Sequence, residues 1–310
     1  MIPKDWMGNT PLGWAARNGH EGVVELLLAR DDVELNKRDD CGRTPLGWAA
    51  WNGHEGVVRE LLRRNDINPD KPNEDRQTPL TQAVCKGHEG VVKILLRRGD
   101  VDADSLDYDG RTPLLWAAHN GHEGVVKILL ERDDVDPDKL DECGGTPLWW
   151  ATLGEHEGVV KLLLGRDDIN PDKPDDYGRT PLYLAAAYGH EEVVKLLLGR
   201  DDVNPDKPGG DGGTPFSRAA CNGHLGVVEI LLGRGGVNPD MPDQFGRTPL
   251  SLAAGHGHAR VVKVLLGRGD VDPDMPDDDG QTPLWWAAEN DNAGVMALLQ
   301  APIFVTHSTA

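Results

Sequence analysis

The sequence predicts an all-α solenoid: nine stacked helix-turn-helix repeats, each with a projecting β-turn finger. Three observations carry that prediction. The dipeptide Thr-Pro recurs at Thr10, Thr44, Thr78, Thr112, Thr146, Thr180, Thr214, Thr248 and Thr282, so a 34-residue repeat runs nine times without an insertion or deletion. Each repeat carries two stretches with helical apolar spacing, and the segments between repeats are rich in Pro, Asp and Gly. A repeat this short cannot bury its own apolar face, so it must stack on its neighbours and grow in one dimension. That regularity argues for a single domain over residues 1–310, where length alone would suggest two.

The second repeat shows how each element arises. Thr44 suits an N-cap, because its hydroxyl can accept an orphan backbone N–H, and Pro45 fits the first helical position, where its missing donor costs nothing. Leu46, Ala49 and Ala50 give the first helix an apolar side with small residues, and Asn52-Gly53 ends it. His54 opens the second helix, whose Val57, Val58, Leu61 and Leu62 form one buried stripe. The first Val of that stripe is present in all nine repeats, from Val23 to Val295. The second helix is expected to end in Arg (Arg30, Arg64, Arg98, Arg132, Arg166, Arg200, Arg234, Arg268), where a cation complements the negative end of the dipole. The next residue is Asp, Asn or Gly, suited to left-handed closure. A segment such as 169–178, extended by its prolines and turned by Gly178, should then project as a finger.

Composition narrows the partner. With 32 basic and 52 acidic residues the formal charge is −20, which repels nucleic acid and anionic lipid and favours a basic protein or peptide. No apolar run approaches the roughly 20 residues that span a bilayer. The chain opens inside the first repeat, so no signal peptide and a cytoplasmic location are expected, and the array is expected to be a monomer. The four cysteines share two columns of the repeat, Cys41 with Cys143 and Cys85 with Cys221. Stacked layers lie roughly 10 Å apart, whereas a disulfide needs Cα atoms within about 7 Å. Intracellular thiols are therefore expected.

Thr112-Pro113-Leu114-Leu115-Trp116-Ala117-Ala118, Gly121-His122 and Val125 to Leu130 resemble the ankyrin repeat over a whole repeat, and the resemblance covers nearly the entire chain. Two departures stand out. The period is 34 against the usual 33, the extra residue falling in the finger, and the signature His is replaced by residues such as Gly47, Leu115 and Ser251. The style resembles ankyrin arrays of filamentous fungi, often attached to larger intracellular receptors. The resemblance implies partner binding in a concave groove lined by first helices and fingers.

Within that groove, Trp14, Trp48, Trp116, Trp150 and Trp286 share one column, with Arg218 in the same column. Arg17, Trp51, His119 and Tyr188 lie one helical turn on. Trp149, Tyr183 and Trp285 add rings outside the column. Trp and Arg are enriched in interface hot spots, so these thirteen residues are the candidate partner-binding set. The same rings would equally suit padding between neighbouring first helices. An acidic rim is expected at the fingers: Asp39, Asp40, Glu74, Asp75, Asp107, Asp109, Asp141, Glu142, Asp175, Asp176, Asp278 and Asp279. It would steer a Lys/Arg-bearing partner, or serve solubility alone.

Catalysis and cofactors find no footing in the sequence. The histidine column from His20 to His258 repeats at about the layer spacing of roughly 10 Å, too far apart for ligands to one zinc, and hydrogen bonding at the start of the second helix accounts for it better. The finger DPDMPDDDG has Met275 and Trp286 where an EF-hand needs Asp and Glu, leaving cation binding a distant alternative. GxxxxGK[ST], GxSxG and HExxH are absent. No metal, cofactor or enzyme activity is expected. The last repeat reads Asp291-Asn292 for Gly-His and places Gln300 at a Leu column, so residues 291–310 look like a terminal cap and tail, with Ile303, Phe304 and Val305 able to fold back over the last layer. Two roles fit: a stand-alone scaffold, or the ligand-sensing or substrate-docking array of a larger NLR-like receptor or enzyme.

Overall fold

The computed structural model describes residues 8–301. They form eighteen α-helices in nine pairs and, among the described residues, no strand. Ile303, Phe304 and Val305 lie outside the described residues. Two compact units divide the chain, residues 1–169 with five helix pairs and residues 170–310 with four.

The helices begin where the sequence places them. In the first unit α1 (Pro11–Arg17) and α2 (Glu21–Leu28) form one pair, and α3 (Pro45–Asn52) and α4 (Glu55–Leu62) the next. Thr44 Oγ1 accepts the Gly47 N–H at 3.0 Å. The same bond closes every first helix, from Thr10 with Gly13 to Thr282 with Trp285. Each such cap is worth about 1 kcal/mol. Ala49 and Ala50 are fully buried with Val57, Val58 and Leu61. First helices pack on first helices and second helices on second helices, with α1 against α3 and α2 against α4. The small residues permit the close approach, and the Val and Leu stripe fills the layer between.

The ends of the second helices differ from expectation. Helix α4 stops at Leu62, Arg63 closes it in the right-handed region, and Arg64 lies beyond. Freed from its own helix, Arg64 Nη1 donates to the Leu28 carbonyl at 2.8 Å. Arg98, Arg132 and Arg166 reach Leu62, Leu96 and Leu130 in the same way. Each arginine thus complements the negative end of the preceding repeat's helix rather than its own. In the second unit one helix, α14 (Leu225–Arg234), does run through to its arginine. Left-handed closure by Asp or Asn does not occur there: the only non-glycine residues at positive φ among the described residues are Arg76, Glu155 and Asp291.

The histidine column serves neighbours. His54 starts α4 through its backbone, and its side chain makes no capping bond. Its Nε2 instead lies 3.0 Å from the Arg17 carbonyl, and His88, His122 and His156 meet the ends of the preceding first helices at 3.0–3.2 Å. A carbonyl only accepts, so Nε2 carries the proton. Gly53 makes room for this contact: at φ 75° it turns the chain, and a Cβ there would stand 2.8 Å from His88 Nδ1. In the last repeat Asn292 replaces the histidine and donates to the Ala254 and Gly255 carbonyls at 2.9 Å. Gln300 is exposed at a column whose leucines elsewhere, such as Leu62 and Leu96, are only half-buried. All four cysteines are free.

Candidate functional site

In six of the fingers one aspartate organises the turn, and Asn73 takes its place before the third repeat. In the finger before the fourth repeat, Asp107 Oδ1 accepts the N–H groups of Asp109 and Arg111 at 3.0 and 2.9 Å, and Gly110 N donates to the Asp107 carbonyl. The other oxygen, Oδ2, accepts Trp116 Nε1 at 2.7 Å. Asp39 holds Trp48, Asp141 holds Trp150 and Asp277 holds Trp286 through the same bond, at 2.6–2.9 Å. Where the column offers Leu184 or Leu252, the finger arginine takes the place of the indole, Arg179 on Asp175 and Arg247 on Asp243.

This geometry corrects part of the expected rim. Asp107, Asp141, Asp175 and Asp277 are buried and Asp39 is half-buried, because each is spent on turn amides and a ring or guanidinium. The carboxylates that reach solvent are those at the fingertips: Asp40, Glu74, Asp75, Asp109, Glu142, Asp176, Asp278 and Asp279. Neighbouring fingertips are tied through their backbones, Tyr108 N to the Asp75 carbonyl and Glu142 N to the Asp109 carbonyl in the first unit.

The rings fall into three groups. Trp48 is 5% exposed and sandwiched between the guanidinium groups of Arg17 at 4.3 Å and Arg43 at 4.4 Å. The stack continues from Arg43 to Trp51 at 4.4 Å and from Trp51 to Lys86 at 4.1 Å. A second cluster in the same unit places His119 edge-on to Trp116 and Trp150, with Trp149 packed on Trp150 at 5.0 Å. Trp149 and Tyr183 are both 7% exposed, which seats these two candidates in the packed layer with their faces covered. The rings open to solvent are Trp14, which leans on His20, Tyr188, which stacks on His190, and Trp285, packed edge-on to Trp286. Three exposed fingertip rings, Tyr108, Tyr177 and Phe245, were not in the expected set. Their signal was present: each is an aromatic residue in a short polar turn that opens on Asp and closes on Gly.

The pairing of finger aspartate with tryptophan nine residues later was also legible in principle, since Gly209 removes the aspartate in the one finger whose column carries Arg218. In that finger Tyr183 Oη donates to Asp211 at 3.2 Å and Arg218 pairs with Asp211 at 2.5 Å. Burial pushes Tyr183 up to about 12, so the phenol stays protonated and donates.

Paired helices, capped by Thr-Pro and joined by hydrogen-bonded fingers, define a helical repeat scaffold whose exposed chemistry lies on fingertips and first helices. The family model for ankyrin repeats (3 copies) matches residues 2–73, 61–141, 133–208 and 212–308, and that for ankyrin repeats (many copies) matches residues 185–232. The chain belongs to the ankyrin-repeat family. Arrays of this family mediate protein–protein interaction and are typically non-enzymatic. A comparison with curated proteins finds no match. No helix among the described residues is long and apolar enough to cross a membrane.

Proposed function

We propose that this chain is an intracellular scaffold that holds a Lys/Arg-bearing protein or peptide along its fingertips and first helices. The observation that carries this reading is the sorting of finger carboxylates into buried turn-holders and exposed tips. The tips Asp40, Glu74, Asp75, Asp109 and Glu142 in the first unit, and Asp176, Asp278 and Asp279 in the second, project charge that no turn needs. Beside them stand the exposed rings of Tyr108, Tyr177 and Phe245, so a basic side chain meets carboxylate and π-face together. In the first unit Trp14, Trp51, Trp116, His119 and Trp150, and in the second Tyr188, Arg218 and Trp285, each supply half-buried or exposed surface against which a partner packs.

A partner captured from native extract tests this reading. Its affinity should fall steeply as salt is raised from about 50 to about 500 mM, since screening shortens the reach of exposed charge. The variant D40N/D75N/D109N should bind several-fold more weakly at low salt and lose most of the salt dependence. A salt-independent affinity, unchanged by that variant, would remove the acidic tips from the account.

A further inference from the structure

The finger leading into the seventh repeat is unlike the others. It reads Gly209-Gly210-Asp211-Gly212-Gly213, with glycine at both positions that elsewhere carry the turn-holding aspartate or asparagine and, in most fingers, an arginine or glutamine. Neighbours move into the vacated space. Tyr183 brings its ring edge to 2.8 Å from where a Cβ on Gly209 would stand, and Arg218 comes to 2.5 Å from where one on Gly213 would stand. What remains is a cleft of about 640 Å³ floored by Tyr183, Gly210 and Asp211, with Asp176 and Tyr177 on one wall and Gln244 on the other. All of it lies within the second unit, across three consecutive fingers.

The chemistry of the walls selects the occupant. Arg179 lines the cleft and Arg218 pairs with its Asp211, and both arginines are engaged: Arg179 with Asp175 at 2.6 Å and Arg218 with Asp211 at 2.5 Å. Asp176 is exposed and leaves the cleft with a net negative charge. Tyr177 is 69% exposed, and Arg179 already lies over its ring at 4.9 Å, which shows that the ring accepts a guanidinium on its face. A planar cation pairs with the carboxylate and stacks on the ring at once, and an anionic side chain does neither.

We infer that this cleft is a pocket for one arginine side chain of the partner, its guanidinium stacked at Tyr177 and paired with Asp176. The assignment rests on the basic-partner reading and places its anchoring contact.

The test uses the full chain and two small probes, N-acetyl-arginine methylamide and its neutral isostere N-acetyl-citrulline methylamide, titrated to millimolar concentration by amide NMR. The arginine probe should shift the amides of Tyr177, Gly210 and Asp211, and the citrulline probe should leave them in place. D176N should weaken the arginine probe at least threefold. The variant Y177S removes the stacking ring from an exposed fingertip position, and should fold normally and bind no probe. Equal shifts from both probes, no shift at all, or undiminished binding by Y177S would each overturn the assignment. Should the probes fail while D40N/D75N/D109N still weakens the captured partner, the pocket falls and the scaffold reading stands. Specific arginine binding with a salt-independent partner would show the opposite.

Discussion

The backbone N–H of Asp102 donates to Asp70 Oδ2 at 3.0 Å, while Asp70 Oδ1 is buried with no hydrogen-bond partner. Asp104, Asp172, Asp206 and Asp240 repeat this arrangement toward the residue 32 positions on. Asn36 occupies the same column in the first repeat and uses both ends of its amide: Oδ1 accepts Asn68 N at 2.8 Å and Nδ2 donates to the Asp66 carbonyl at 2.7 Å. The orphan carboxylate oxygen therefore stands where a donor belongs. Burial accordingly raises these five carboxyls above the ordinary 3.8. At Asp70 the neighbouring charges of Asp102 and Asp100 add to the shift and Arg98 opposes it.

From this follows a stabilising substitution with a defined pH dependence. A raised folded-state pKa means the protonated form is the favoured one, so its contribution is full below about 3.8 and is lost as pH rises through the folded value. At pH 7, D70N should stabilise the chain by about 0.5 kcal/mol, the low end of a hydrogen bond's net value because the site is partly solvated. Urea unfolding of D70N/D104N against the parent should show the gain at pH 7 and its disappearance toward pH 4. A loss of stability at pH 7 would refute the donor vacancy.

Removing a turn-holder should be costly. Asp141 accepts Cys143 N, Gly145 N and Trp150 Nε1 at 2.8–3.0 Å, and D141A strands all three donors. A loss of about 2–4 kcal/mol is expected, read from the urea midpoint, with a red shift of tryptophan emission as the indole loses its anchor. The fingertip change D109N, one finger earlier, should alter the midpoint by less than about 0.5 kcal/mol.

Two imidazoles should titrate low. Burial, then the Arg111 and His156 charges, lower His119 below the ordinary 6.5, and burial lowers His258 despite its bond to the Cys221 carbonyl. A depressed imidazole favours the neutral form, so the stability it brings is present above 6.5 and lost as pH falls through the folded value. Histidine ring NMR should give both midpoints below 6.5; a midpoint above it for His258 would contradict the placement.

Gly53 is held at φ 75° against the imidazole of His88. G53A should cost at least about 1 kcal/mol from the left-handed backbone alone. In an H88A background the cost should be smaller, because the side-chain clash is gone. A double-mutant cycle measures that difference directly.

How much of this was readable beforehand depends on the range of each interaction. Capped first helices and the Val and Leu stripe are local or strictly periodic, so Thr44, Pro45 and Val57 announced them. The Arg64 bond to Leu28 and the His54 bond to Arg17 cross between repeats, and a column that repeats in every repeat carries no label saying which neighbour it serves. Asp107 and Tyr108 are adjacent in sequence, yet one is buried and the other open, because the turn's two faces alternate within a residue. The candidate groove was located only coarsely for that reason: Trp149 and Tyr183 read as open rings, and the finger aspartates all read as solvent charge.

The bonds from Arg64, Arg98, Arg132 and Arg166 to the helix before them, and from His54, His88, His122 and His156 to the helix end before them, have a consequence for how such a chain can change over generations. Every partner sits at the equivalent place in the adjoining repeat, so duplicating or deleting one whole repeat leaves each donor facing a carbonyl of the kind it left. A shift by any other length would misalign all of them together. The gene can therefore lengthen or shorten by recombination between its own repeats, while drift at the fingertips alters exposed side chains and leaves those bonds intact.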